Sequence, residues 1–413
     1  SMAKLLFIWY KRSKGILEGG GQCSLRNFQM LSSILGEENI DSYYIHDEYK
    51  KKTIAGYLSG AYWFLPHYFY GLTPKRVQEI VALSQRYDYV FIDRSVFGII
   101  AKRLKESGFQ GKIITHFHNI ESIYFDVLLP KHLPFRNLVV QTANNNDEWA
   151  CQYSDSIVLL NQRDTIVLQE KYTNLPNIVQ IPIALADKIS NITPTNELTR
   201  KQPICLFLGS YFVPNNQGIL WFVENVLPHV KIQMKIVGKG MKKLKEESPL
   251  LQDIEVISDA PDLLPYLQEA DMVILPIFSG SGMKVKTCES LMYGKNIIGT
   301  PEAFEGYEVD YASIGGRCSS PHEFIDIINK FIAQPRPRFN QYARHCYLKN
   351  YSLTAIKQFL TSSLGHPKIF VKEFFNGFVP FHDHCPGEKL SVEWQTDLHG
   401  RHCLSHSQHL VYA

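Results

Sequence analysis

Short apolar runs alternate with longer stretches whose apolar residues recur every three or four positions, and the alternation runs through the chain twice. That rhythm specifies parallel α/β architecture, because parallel strands are buried on both faces while the helices between them are buried on one. In the first half the strands are expected at Lys4–Tyr10, Asp41–His46, Tyr89–Arg94, Lys112–His118, Ser156–Leu160 and Ile178–Ile183. Pro74–Tyr87 reads as one of the intervening helices, with Pro in its first turn. The polar stretch from Ser190 to Gln202 has no periodicity and reads as an inter-domain linker.

After the linker the pattern restarts. Strands are expected at Ile204–Leu208, Gln233–Val237, Ile254–Ile257, Met272–Ile277 and Asn296–Thr300, and helices at Asn215–Leu227, Pro261–Glu269, Lys284–Tyr293 and Pro321–Ala333. A last helix, Ser352–Leu364, closes the regular part. The expected layout is a Rossmann-like domain over 1–188, a linker over 189–202, a second Rossmann-like domain over 203–351, the closing helix over 352–364 and a tail over 365–413. Two doubly wound units face each other across a cleft, and ligands in such sheets bind at the carboxyl ends of the strands.

The chemistry-bearing segment is Leu275–Gly306, LPIFSGSGMKVKTCESLMYGKNIIGTPEAFEG. A strand ends at Pro276, a turn of small residues runs from Ser279 to Gly282, and a helix is expected to start near Met283. Backbone amides in such a turn, together with a helix N-terminus, attract an anion. Lys284 and Lys286 add formal charge at the same end. Glu289 follows one helical turn later and could accept hydrogen bonds from ribose hydroxyls. Taken alone, a strand–turn–helix junction with solvated lysines would give the same string.

The segment resembles the donor-binding signature of retaining GT-B glycosyltransferases of the glycosyltransferase group 1 family. The resemblance rests on Pro276, Gly280-Ser281-Gly282, Lys284, Lys286, Glu289, Gly294, Ile297-Ile298, Thr300 and Glu305-Gly306. Upstream, Leu206-Phe207-Leu208-Gly209 with Pro214-Asn215-Asn216 and Trp221-Phe222 looks like the opening of that family's second domain. Ile236-Val237-Gly238 followed by Gly240 looks like its next strand and turn. The resemblance implies the GT-B fold and transfer of a sugar from a nucleotide-sugar to an acceptor hydroxyl, with retention. It also implies front-face attack, with the leaving diphosphate taking the acceptor's proton. Lys284 and Lys286 would stand in for a metal ion, and no cofactor or bound metal is expected.

One position departs from the family pattern. Many members carry two glutamates eight positions apart, and the first falls here on Ser281. By resemblance Glu289 keeps the ribose contact, and the sugar contact passes to Ser281 or to amides of the Gly280–Met283 turn.

In the first half, Gly19-Gly20-Gly21 precede an expected helix Gln22–Leu35 and permit close backbone approach to a ligand. The spacing is not that of a dinucleotide fingerprint, which argues against a nicotinamide dehydrogenase. Thr115-His116-Phe117-His118-Asn119-Ile120-Glu121 lies at a strand end, with His116 and His118 on one sheet face. The string resembles the family segment that brings a histidine near the donor sugar. His118 would hydrogen-bond that sugar or orient the acceptor rather than act as general base. Asp259-Ala260-Pro261-Asp262 is expected near the nucleobase, with Asp259 or Asp262 capping a helix. Asp93-Arg94-Ser95 is a lesser cleft-lining candidate.

The expected catalytic set is thus His118, Lys286 and Glu289. The expected donor-binding set is Gly20, Gly21, Gly209, Ser210, Gly238, Asp259, Ser281, Gly282, Met283, Lys284, Lys286 and Glu289. The partners implied are a nucleotide-sugar and a glycan or lipid-linked acceptor, as in surface-polysaccharide or glycolipid synthesis. A nucleotide-sugar epimerase and a nucleotide-sugar-binding protein without activity remain the alternatives.

Composition bounds the rest. Lys and Arg number 43 against 40 Asp and Glu, too even for a phosphate-tracking nucleic-acid binder. Eight cysteines show no CxxC pair, which suits free thiols in a reducing, cytoplasmic setting. No run approaches the roughly 18 apolar residues of a spanning helix, so membrane contact would be peripheral at most. Tyr57–Tyr70 is rich in aromatics and reads as core packing, with an acceptor- or membrane-facing surface as the other reading. Of 15 histidines, seven follow Leu364. Their spacing fits no structural zinc pattern, and the tail reads as an unstructured or non-native appendage.

Overall fold

The computed structural model describes residues 3–10, 19–45, 67–69, 71–362, 393–396 and 402–405. The first sheet contains β1 Leu5–Tyr10, β2 Ile40–Ile45, β3 Tyr89–Ile92, β4 Lys112–His116, β5 Ser156–Leu159 and β6 Asn177–Gln180. Its order is β2-β1-β3-β4-β5-β6, and every neighbouring pair is parallel. The second sheet holds β7 Ile204–Leu208, β8 Gln233–Val237, β9 Glu255–Ile257, β10 Met272–Leu275, β11 Asn296–Gly299 and β12 Gly315–Arg317. Its order is β12-β11-β10-β7-β8-β9, again all parallel.

The central strands form because their residues are apolar on both faces, while the edge strands β2, β6 and β9 are only partly buried. All five residues of β7 and all four of β10 are buried, which only a sheet covered by helices on both sides allows. The helix Pro74–Ser84 begins where Thr73 accepts a hydrogen bond from the Arg76 amide with Pro in the first turn. Pro321–Ala333 begins the same way, with Ser320 accepting from the Glu323 amide.

Some boundaries move. The helix expected from Gln22 starts at Gly19, so the three glycines form its first turn rather than a loop before it. The helix expected at Pro261 starts at Leu264 and that expected at Lys284 starts at Val285. The short strand β12, Gly-Gly-Arg, carries no apolar run and pairs at the sheet edge through backbone alone.

The chain passes between the two halves twice. After β6 it leads through the stretch expected as a linker, which is held against the second half where Thr199 N donates to Arg336 O at 2.7 Å. At the end it returns: Leu185 N donates to Tyr351 O and Leu353 N to Leu185 O, at 3.0 and 3.3 Å. The final helix Leu353–Ser362 then places Leu353 and Ile356 in the core of the first half.

Residues 379–413 form a separate small unit. Its described residues are two antiparallel strands, β13 Glu393–Thr396 and β14 His402–Ser405, where the sequence reading expects none. The rest of the tail and residues 57–66 and 70 of the aromatic stretch lie outside the described residues. Among the described residues no helix is long and apolar enough to cross a membrane.

Candidate functional site

In each sheet the strand order reverses at one place. In the first it reverses between β1 and β3, and in the second between β7 and β10. Connections leave such a pair of strands in opposite directions, opening a crevice at their carboxyl ends. Gly19–Gly21 and Asp93-Arg94 follow β1 and β3. Gly209-Ser210 and the turn Ser279–Gly282 follow β7 and β10. Most of the expected residues therefore sit at the two switch points.

On the second-half side the chain is tightly drawn together. A Cβ on Gly238 would meet Gly209 O at 1.7 Å, so the two backbone turns touch only because residue 238 has no side chain. Asn215 ties the first of these turns to Lys286: its Nδ2 donates to Ser210 O at 2.9 Å and its Oδ1 accepts from Lys286 Nζ. Lys286 also lies over the Phe207 ring, 5.4 Å from its centroid. No carboxylate pairs with Lys286 among the described residues. Burial and the neighbouring Lys284 push its ammonium down to about 7, with Glu289 opposing.

Lys284 is placed differently from the expectation of a free charge. Its Nζ meets Glu302 Oε1 at 2.5 Å, and Arg163 of the first half grips the same carboxylate at 2.6 and 3.2 Å. Burial works against the Glu302 carboxylate, yet the two cations hold it below the usual range. Glu289 is buried and accepts from Gln22 Nε2 at 3.0 Å; burial raises its carboxyl, with Gln22, Lys188 and Lys286 opposing.

The Gly282 turn is held against the first half. Gly282 has φ 62°, and a Cβ there would lie 2.5 Å from His118 O. Its N–H donates to Asp164 Oδ2 at 3.1 Å, its carbonyl accepts from Asn161 Nδ2 at 3.2 Å, and Ser281 Oγ contacts the Asn119 amide at 2.9 Å. The Met283 side chain is buried, and its sulfur accepts from Ile183 N at 3.5 Å. Only its backbone can face a ligand. Asp259 is exposed and follows the edge strand β9, away from the β7/β10 crevice. Neither aspartate occupies the helix's cap position, which is Leu263; Asp262 Oδ1 accepts from Leu264 N at 3.0 Å.

In the first half, His118 lies just past β4, with Nε2 3.4 Å from Asp93 Oδ2. Burial lowers its pKa, but Cys23 and Asp93 outweigh burial and raise it to about 9. Burial drives His116 well below its ordinary value. Arg94 stacks on the Tyr10 ring at 5.5 Å, and a Cβ on Gly20 would meet its Nη2 at 2.6 Å. Gly20 thus makes room for a guanidinium, while Gly20 and Gly21 both remain half-buried.

Sequence reading missed Gln22, Cys23, Arg26, Asn27, Asn161, Asp164 and Glu302 as members of this region. Cys23, Arg26 and Asn27 share one helical face by spacing, and all three are buried. Polar groups on the buried face of a helix beside a glycine cluster are the signal that could have found them.

Residues 202–333 match the family described as Glycosyl transferases group 1. None of the curated protein sequences compared with the chain matches it. Among solved structures, the sucrose-phosphate synthase of Thermosynechococcus elongatus is similar at TM-score 0.66 and 13% identity, over 87% of this chain and 98% of that one. Anabaena HepE, solved with UDP and glucose, is similar at 0.59 and 14%, over 88% and 99%. An α,α-trehalose-phosphate synthase (UDP-forming) of Burkholderia xenovorans, solved with glucose-6-phosphate, is similar at 0.56 and 12%, over 88% and 100%. Two parallel six-stranded sheets with flanking helices, shared with these proteins over nearly their whole lengths, make the fold GT-B.

Proposed function

We propose that the chain, whose residues 202–333 match the family described as Glycosyl transferases group 1, transfers a hexose from a nucleotide-sugar to an acceptor hydroxyl with retention. The observation that carries this is the grouping of Gly209, Ser210, Gly238, Asn215, Lys286 and Glu289 around the β7/β10 switch point. A diphosphate there would face backbone amides and the one lysine of the pair that has no carboxylate partner. Glu289, one turn further along the helix, would accept from ribose hydroxyls.

The chemistry follows from this placement. Negative charge grows on the leaving diphosphate as the glycosidic bond breaks, and Lys286 with the Gly280–Met283 amides would stabilise it without a metal. The acceptor would occupy the first half, with His118 hydrogen-bonding the donor sugar and the departing phosphate oxygen taking the acceptor's proton. HepE and the trehalose-phosphate synthase were solved with UDP or a sugar phosphate, which supports a nucleotide-sugar donor and a sugar acceptor here. An acceptor in surface-polysaccharide or glycolipid synthesis, met at the cytoplasmic face of a membrane, is the setting we infer.

The test is a thermal-shift screen against UDP-, GDP- and ADP-sugars, followed by transfer with the donor that stabilises the fold. A ligand at 100 times its Kd stabilises by about 2.7 kcal/mol, enough to move the melting midpoint visibly. One donor class raising the midpoint, with product of unchanged anomeric configuration, supports the proposal. Free isomerised nucleotide-sugar would favour an epimerase, and binding without turnover a non-catalytic protein.

A further inference from the structure

At the floor of the first half, three side chains that could ligate a metal converge. Cys23 comes from the first turns of the helix after β1, His116 from the last residue of β4, and His118 from two residues beyond it. Their exposures are 3%, 0% and 5%. One ligand atom from each, a sulfur and two ring nitrogens, lies within 4.8 Å of the other two, and no other such group occurs among the described residues. The two imidazoles cross edge to face with centroids 4.9 Å apart. None of their four ring nitrogens has a hydrogen-bond partner. Buried polar groups are ordinarily paired; His118 Nε2 at least faces Asp93 Oδ2 at 3.4 Å, but a buried His116 with neither ring nitrogen bonded, beside a thiol, needs a physical reason.

We propose that Cys23, His116 and His118 form a binding site for a thiophilic d10 cation, Zn2+ or Cu+. Thiolate and imidazole are the ligands such cations prefer, and a three-ligand set suits either trigonal Cu+ or Zn2+ with one open position. Asp93 Oδ2, buried and without a hydrogen-bond partner, stands 3.4 Å from His118 Nε2, the place of a carboxylate that orients a ligating histidine.

The site would couple to transfer, a consequence that rests on the function proposed above. A cation would hold His118 by a ring nitrogen and withdraw it from a donor sugar, so the loaded protein would turn over more slowly than the stripped one.

The test uses the full chain with Cys385→Ser and Cys403→Ser, so that tail thiols do not report. Co2+, standing in for Zn2+, is titrated while thiolate-to-metal absorption is followed. Cu+ is titrated anaerobically against a chromophoric chelator. One equivalent in either arm, lost on Cys23→Ser or His116→Asn in protein that still melts cooperatively, is the expected result. Asp93→Asn should weaken it about 10–100-fold. Two variants guard against one failing to fold. No saturable equivalent, or titrations identical with and without Cys23, would overturn the site. These readouts are independent of transferase activity, so they fail or succeed separately from the functional proposal.

Discussion

Lys286 is the residue whose environment says most about donor binding. Its ammonium is depressed to about 7 by burial and by Lys284, against an ordinary value near 10.5. A diphosphate would supply the missing counter-charge, so binding should take up a proton when the solution is above pH 7. The sign is fixed: donor affinity should be level below about pH 7 and fall as pH rises through it, by up to about tenfold per unit. Calorimetry in buffers of different ionisation enthalpy would measure the proton uptake. A flat profile, or one unchanged in Lys286→Met, would contradict the assignment. By contrast Lys284 is already paired with Glu302. The sequence displayed both lysines as equivalent, because their difference lies in Glu302 and Arg163, which folding brings from further along the chain and from the other half.

At the scale of elements, the strands were legible because a buried parallel strand is apolar throughout. β7 and β8 begin and end where expected. Helix starts were less so: Met283 reads as an opening residue, yet its side chain turns into the core and the helix waits until Val285. β12 was invisible because two glycines and an arginine carry no pattern. The turns after β7 and β8 illustrate what spacing does convey. Gly238 was chosen by resemblance, and the structure supplies the reason in its contact with Gly209 O. Gly238→Ala should destabilise by about 1–3 kcal/mol, since the blocking atom is backbone that cannot swing aside. Chemical denaturation measures this; an unchanged midpoint would mean that the two turns are not in contact.

For the whole molecule, the two halves touch through the groups assigned to the donor. Gln22 occupies Glu289, Asp164 occupies the Gly282 amide, and Asn161 the Gly282 carbonyl. A bound diphosphate and ribose would replace the first two of these contacts. None of the pairs was legible in the sequence, because each joins residues more than a hundred positions apart. The two-sheet plan was legible, since it depends on a repeating pattern and not on any single pair.

The central claim is that the β7/β10 switch point binds and activates a nucleotide-sugar. The measurement closest to it is donor turnover, as transfer or hydrolysis, by wild type, Lys286→Ala and Glu289→Ala at equal folded concentration. Loss of one stabilising group at a developing charge typically costs about 10²–10³ in rate, so Lys286→Ala should show at least this and Glu289→Ala a loss of turnover through lost ribose contact, both melting as wild type does. Undiminished turnover in either folded variant would contradict the account.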